Sequence, residues 1–245
     1  MNALVVGGSS GIGLSIVLNL IDRKDVEKVY VMDKNIMPAE YSSITKISPI
    51  VCDLSQSGYL EQLPNVSEIQ MLYITAGFGH LKLFQDLSSE YIQDIFAVNA
   101  IAPLKIIRYY YDNMLRQDLF CCGVMVSIAG RLSSPFFSMY SATKSALSKG
   151  IEAINVELDE QGSQNRILEV SPGNIKGTAF SGGISHPELT RELAEEIVSR
   201  SERHDMVYIP QYDEVYKSVI ERYQNNAHQF GKDSYYYKLS KLKGL

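Results

Sequence analysis

A glycine-rich turn near the start constrains this chain more than any other feature. Gly7-Gly8-Ser9-Ser10-Gly11-Ile12-Gly13 follows the apolar run Ala3-Leu4-Val5-Val6. A run of that length, stopped by glycine, reads as a short buried strand. From Gly11 to about Asp22, Ile12, Ile16, Val17 and Leu20 share one helical face. Strand, glycine turn and helix open a doubly wound α/β sheet. One glycine permits the tight turn, a second lets backbone approach a pyrophosphate, and a third lets the helix pack close to the strand. Free N–H groups at the helix start then face the phosphates. Asp33 stands twenty residues after Gly13 at the end of the next apolar run. An acid there suits the ribose hydroxyls of an adenosine and opposes a 2′-phosphate. None of Gly8, Ser9 and Ser10 is a cation, and Lys34 is the local counter-argument. NAD(H) is therefore preferred, with NADP(H) left open.

The rest of the chain repeats the alternation. Strands are expected at 3–6, 28–32, 47–52, 70–74, 123–127, 166–170 and 206–209. Helical patterns run over 11–22, 56–63, the 90s after an N-cap at Ser88, from Pro103 to about 116, 138–160, 187–200 and 212–223. Alternating strands and helices argue a Rossmann-like parallel sheet with helices on both faces. No linker, repeat or low-complexity run divides residues 1–245, so one domain is expected.

Composition excludes several functions. A net charge of -5 disfavours nucleic acid as a general partner. No apolar run is long enough to span a membrane, and the first residues lack the basic and apolar regions of a signal peptide. Cys52, Cys121 and Cys122 have neither metal nor disulfide spacing, which fits a cytoplasmic protein. His80, His186, His204 and His228 show no metal-binding pattern.

Tyr140-Ser141-Ala142-Thr143-Lys144 lies in the expected helix over 138–160. Residues four apart project from one helical face. An ammonium near a phenol favours phenolate, so Lys144 is expected to lower the Tyr140 pKa from its reference of about 10. Such a tyrosine exchanges a proton with an alcohol or ketone near neutral pH. Ser127 ends the preceding strand, where its hydroxyl can reach the same substrate oxygen. Asn99 is polar in the apolar stretch Ala97-Val98-Asn99-Ala100. It either anchors helix backbone or holds a water that connects Lys144 to solvent.

Together these motifs resemble the short-chain dehydrogenase/reductase family, single-domain type. The resemblance is carried by Val6 to Gly13, Thr75-Ala76-Gly77, Asn99, Ser127-Ile128-Ala129-Gly130, Tyr140 to Lys144, and Pro172-Gly173-Asn174-Ile175, in order and spacing, over about residues 1–180. It implies a seven-stranded parallel sheet, a nicotinamide cofactor and an Asn-Ser-Tyr-Lys tetrad at Asn99, Ser127, Tyr140 and Lys144. It further implies cofactor contacts from Gly7, Ser9, Ser10, Gly11, Ile12, Gly13 and Asp33, and from Asp53 and Leu54 beside the adenine. Ala76, Gly77, Pro172, Gly173, Ile175 and Thr178 complete them, with Ile175 by the nicotinamide carboxamide. Three departures stand out: Val6 where the family often has Thr, Ile74-Thr75 where it has Asn-Asn, and Gly177-Thr178 where Thr comes one residue earlier.

The expected activity is NAD(P)-dependent interconversion of a secondary alcohol and a ketone. A catalytically weak regulatory protein on the same fold is the alternative, and a sugar-nucleotide epimerase would usually need a longer chain. Phe78, Leu81, Leu132, Phe136, Phe137 and Phe180 are expected over the nicotinamide, against only Arg131, Lys176 and His80 as cations, which suits an apolar ketone. Residues 177–204 are expected to form a mobile substrate loop, with Gly177, Gly182 and Gly183 as hinges. Residues 235–245 read as a solvated polar tail. Apolar residues beyond one face of the helices at 102–116 and 141–160 (Ile106, Ile107, Leu147, Ile151, Ile154 and Val156) suggest a homodimer or homotetramer, as the family resemblance also does.

Overall fold

The computed structural model describes residues 1–116, 118–178, 180 and 185–243. Seven strands form one parallel sheet: β1 (Asn2–Val6), β2 (Lys28–Asp33), β3 (Ile47–Val51), β4 (Met71–Ile74), β5 (Cys121–Met125), β6 (Ile167–Val170) and β7 (Val207–Tyr208). Their order across the sheet is β3-β2-β1-β4-β5-β6-β7. The chain winds outward from β1 through β2 to β3, then returns to add β4 on the other side. The carboxyl ends of β1 and β4 therefore flank the point where the order reverses, which is where sheets of this kind place their ligands.

Helices cover both faces, as the expectation required. Alternate residues of β1 serve opposite faces. Leu4 and Val6 pack towards α4 (Ala102–Met114) and α5 (Ser138–Glu160) with Ile106, Tyr110, Leu147 and Ile151. Ala3 and Val5 pack towards α1 (Gly11–Ile21) and α6 (Pro187–Glu202) with Ile16, Leu20 and Ile197. Burial on both faces explains why the strands read as continuous apolar runs.

Several boundaries differ from expectation. β5 begins two residues before the expected 123–127 strand, because Cys121 N–H already donates to Gln70 O and Phe120 N–H to Asn165 Oδ1. Ser127 consequently lies beyond the strand, as N-cap of a short turn at Ile128–Arg131. The expected helix over 56–63 is only a turn at Leu60–Gln62. A four-residue helix, α2 (Ala39–Ser42), was not expected. Ser88 does cap α3 (Ser89–Phe96), accepting from Tyr91 N–H.

Helices α3 and α4 are continuous through a widened turn, Ala97–Ile101, in which Ala102 N–H donates to Ala97 O. Pro103 lies in the first turn of α4 and has no N–H to complete an ordinary α-turn there. At the other end, the expected helix over 212–223 is a widened turn, Tyr212–Tyr216, followed by α7 (Lys217–Asn225). The segment read as a polar tail from 235 is not solvated coil. It belongs to α8 (Ala227–Lys243), which docks through Lys238 on Ser134 and Pro135. Residues 244 and 245 lie outside the described ones.

Most of the expected mobile loop over 177–204 is likewise helical. α6 packs on α1, where Ser15 Oγ donates to Pro187 O at 3.0 Å and shares a 2.6 Å hydrogen bond with Thr190 Oγ1. Gly182 and Gly183 lie outside the described residues. Among the described residues no helix is long and apolar enough to cross a membrane, and no group of three His, Cys, Asp or Glu could hold a metal ion.

Candidate active site

The glycine turn is built for close approach. A Cβ on Gly7, whose φ is 87°, would lie 2.4 Å from Ala76 N. One on Gly13 would lie 2.1 Å from Gly7 O, so β1, β4 and α1 meet only without side chains there. Thr75, where the related pattern has Asn, still ties this corner together. Its Oγ1 lies 3.0 Å from both Val6 O and Gly7 O and donates its one proton to that pair.

Ser10 is the N-cap of α1 and makes no side-chain cap bond. Gly11 N–H instead donates to Ser185 Oγ at 2.7 Å. Ser9 Oγ is buried with no hydrogen-bond partner among the described residues. An orphaned hydroxyl and backbone N–H groups at the start of a helix together make a receptor for an anionic group. Thr178 stands against Gly11 and donates to Ile175 O at 3.0 Å, which brings both residues over the turn.

Asp33 faces the same turn. Its Oδ2 accepts from Ser9 N–H at 3.0 Å and its Oδ1 from Asn35 N–H at 2.9 Å. Asp53 accepts from both the backbone N–H and the hydroxyl of Ser55, and these bonds, with Lys34 nearby, hold its carboxyl below the ordinary range. The field of Lys34 thus falls on Asp53. Leu54 is buried in the core beside Tyr59 and Leu63.

The four tetrad residues come together from three segments, Tyr140 and Lys144 sharing α5. Asn99 is fully buried in the widened turn. Its Oδ1 accepts from Phe78 N–H at 3.0 Å and its Nδ2 donates to Phe78 O at 2.8 Å. These bonds anchor the backbone of the segment after β4 rather than that of a helix. Nδ2 also donates to Thr143 Oγ1 at 3.3 Å, and Thr143 Oγ1 donates to Tyr140 O at 2.8 Å. Lys144 is 2% exposed. Its Nζ donates to Met125 O at 2.9 Å and sits 5.9 Å from the centre of the Tyr140 ring. Burial lowers its pKa to about 8. Ser127 Oγ accepts from Ala129 N–H at 3.1 Å and donates to Pro172 O at 3.4 Å, and it lies close enough to the Tyr140 phenol to draw its pKa down.

The expected lowering of the Tyr140 pKa does not hold. Burial pushes the phenol up, with Ser127 pulling the other way. The Lys144 ammonium gives one of its three donors to the Met125 carbonyl and lies 5.9 Å from the Tyr140 ring centre.

Around Tyr140 the expected aromatics divide. Phe137 and Phe180 pack on its ring, with centroids 5.7 and 5.1 Å away. Phe78 clusters with His80 and Tyr91. Phe136 is 6% exposed and turns to Tyr235 on α8. Arg131 is not a free cation, since its Nη2 meets the buried Glu169 carboxylate at 2.5 Å. Pro172 O accepts from Ile128 N–H at 2.9 Å, and Gly173 leaves room for the Tyr216 hydroxyl.

The Met125 carbonyl and Tyr216 went unnoticed as parts of the site. Gly79 lies two residues after the Ala-Gly motif. A Cβ on it would come within 2.8 Å of the Tyr140 ring.

A parallel sheet with a glycine cradle at its switch point and a buried Ser–Tyr–Lys cluster beside it defines a nicotinamide-dependent class of oxidoreductase. The chain belongs to the short-chain dehydrogenase family, whose model matches residues 1–189. It is 26% identical over 213 residues to an uncharacterised oxidoreductase of Saccharomyces cerevisiae, covering 80% of this chain and 66% of that protein, just under two thirds of its length. Among solved structures, 4-hydroxyisoleucine dehydrogenase complexed with NADH and succinate matches with a TM-score of 0.71 at 19% identity, covering 84% of this chain and 96% of that one. A short chain dehydrogenase from Burkholderia cenocepacia J2315 in complex with NADP matches at 0.70 and 20% identity, covering 90% and 96%. Those structural likenesses show the shared fold.

Proposed function

We propose that this protein interconverts a secondary alcohol and a ketone with NAD(H), using Tyr140 as general acid and base. The observation that carries the reading is Tyr140 with Ser127 near its phenol and the buried Lys144, one helical turn along, 5.9 Å from its ring centre. The glycine cradle, the Ser9 hydroxyl and the start of α1, where Ser185 Oγ holds the Gly11 N–H, fit a dinucleotide pyrophosphate. In this reading Asp33 meets the adenosine ribose, Asp53 and Leu54 the adenine, and Ala76, Gly77, Pro172, Gly173, Ile175 and Thr178 the rest of the cofactor. The bound nicotinamide supplies hydride for reduction and accepts it for oxidation.

The chain's own groups manage the proton and the oxygen. In reduction, a phenol kept protonated by burial is the form a general acid needs. Tyr140 gives its proton to the substrate oxygen, and Ser127 donates a hydrogen bond to that same oxygen. The Lys144 ammonium then steadies the phenolate left behind. Asn99 keeps Phe78 and the helix bearing Tyr140 in register, through Thr143. In oxidation the same phenolate takes the alcohol proton.

The pocket favours an apolar ketone. Phe137 and Phe180 border Tyr140, and Arg131 is already paired with Glu169. A sugar would need many more hydrogen bonds than these walls offer. Free, buried Cys52, Cys121 and Cys122 suit a reducing cytoplasm.

Assembly through α4 and α5 draws support from fewer residues than the sequence suggested. Ile106, Ile107, Leu147 and Ile151 are core. Val156 at 61% and Ile101 at 47% exposure remain for a partner copy, with Ile154 and Leu104 half-buried beside them.

The test is loss of NADH absorbance with a panel of neutral apolar ketones, sugars and hydroxy acids. Turnover of an apolar ketone is expected. NADH binding without turnover of any ketone would favour the regulatory alternative.

A further inference from the structure

Helix α8 crosses back to the turn that precedes Tyr140. Lys238 donates from Nζ to Ser134 Oγ at 2.6 Å and to Pro135 O at 2.8 Å. The same ammonium lies 5.3 Å from the centre of the Phe137 ring. Three residues earlier on the helix, Tyr235 packs on Phe136 with centroids 5.1 Å apart.

These contacts are costly ones for a lysine. Its partners are a hydroxyl, a carbonyl and a ring face rather than a carboxylate. Burial lowers its pKa to about 8. A lysine with no positional task would turn its ammonium into water.

The segment it holds is strained and central. Phe136 has φ of 67°, left-handed backbone that a bulky residue keeps only where its surroundings insist. Phe136 O accepts from Lys82 N–H at 2.9 Å, and Phe137 N–H donates to Ser134 O at 2.9 Å. Phe137 then lies against Tyr140. One continuous line of contacts runs from Lys238 and Tyr235, through residues 134–137, to the tyrosine.

We propose that Lys238 is a positioning residue of the substrate site: with Tyr235 it fixes the 134–137 turn and so sets the wall that Phe137 presents beside Tyr140. The proposal rests on the reading of Tyr140 as the acid/base. Substrate selectivity is then set in part from the C-terminal helix, far from the glycine cradle in sequence.

The experiment compares Lys238→Met, which keeps the stem and loses the donors, with Lys238→Arg, which keeps charge and donors. Tyr237→Ala, 65% exposed on the same helix, is the control. Three quantities are read: KM and kcat for the best neutral apolar ketone, the NADH dissociation constant, and hydrogen exchange at the Lys82 and Phe137 amides. Lys238→Met is expected to raise KM about tenfold, with kcat and NADH affinity within about threefold. Exchange at the two amides should quicken by about tenfold or more. Lys238→Arg should restore both, and Tyr237→Ala should move neither. A lowered melting temperature with unchanged exchange at the two amides would overturn the proposal, leaving Lys238 as a simple fastener of α8. If the wild type reduces no ketone, the proposed activity fails, and the exchange measurement still decides whether Lys238 sets the turn.

Discussion

The Phe180 ring lies over the Tyr140 ring, with centroids 5.1 Å apart and planes inclined by 53°. Phe137 stacks on Phe180 in turn, at 6.4 Å and 26°. The phenol that would exchange a proton is therefore roofed by carbon rather than by water. Phe180→Ala should lower kcat/KM for an apolar ketone by about tenfold, through lost contact and admitted water, while NADH affinity holds within about twofold. An unchanged kcat/KM would mean that Phe180 leaves the site when substrate binds.

Tyr140→Phe removes the proton and leaves the ring packing in place. Turnover should fall by roughly 10²-fold or more, the scale of a lost general acid, with NADH binding retained. A variant as fast as the wild type would sink the proposed chemistry.

Cofactor choice turns on Asp33, whose carboxylate already receives the Ser9 and Asn35 N–H groups beside the glycine turn. The wild type should prefer NADH over NADPH in kcat/KM. Asp33→Ser should narrow that ratio by about tenfold or more, since an opposed 2′-phosphate no longer meets a fixed negative charge. A wild-type preference for NADPH would show that Lys34 outweighs Asp33, despite lying near Asp53.

Lys144 gives a pH-dependent stability. Its folded pKa is about 8, against an ordinary 10.5, because burial penalises the ammonium. Between those values the unfolded chain binds more protons at this position than the folded one, so its contribution to stability rises with pH and is least below 8. Relative to Lys144→Met, the wild type should gain stability in urea unfolding between pH 7.5 and about 9.5, by up to about 2 kcal/mol. Lys238 titrates similarly in both proteins and cancels from the difference. Parallel pH curves would mean that Lys144 keeps an ordinary pKa.

Light scattering at micromolar concentration should give a dimer or tetramer mass, and Val156→Glu should shift it towards the monomer by placing a charge on the apolar face of α5. A monomeric wild type would remove α4 and α5 as an interface.

Much of this molecule was legible in the chain because the relevant signals are local. The Gly7 to Gly13 turn, the strand-ending Asp33 and the apolar runs of a sheet buried on both faces fix the parallel topology through geometry that each segment carries itself. Tyr140 and Lys144 are paired by helical spacing alone, and α5 spans the expected 138–160. Tertiary structure decided what those groups touch. Asn99 grips Phe78, 21 residues away, because Pro103 widens the turn between α3 and α4. Lys144 donates to the Met125 carbonyl, and burial has the largest say over the Tyr140 phenol. Arg131 was expected to be a pocket cation and instead pairs with Glu169, 38 residues on. The segment from 235, polar enough to read as a solvated tail, is part of a helix docked on the turn at 134–137. One lysine and one tyrosine found partners more than ninety residues earlier, and no local pattern encodes contacts between elements so far apart along the chain.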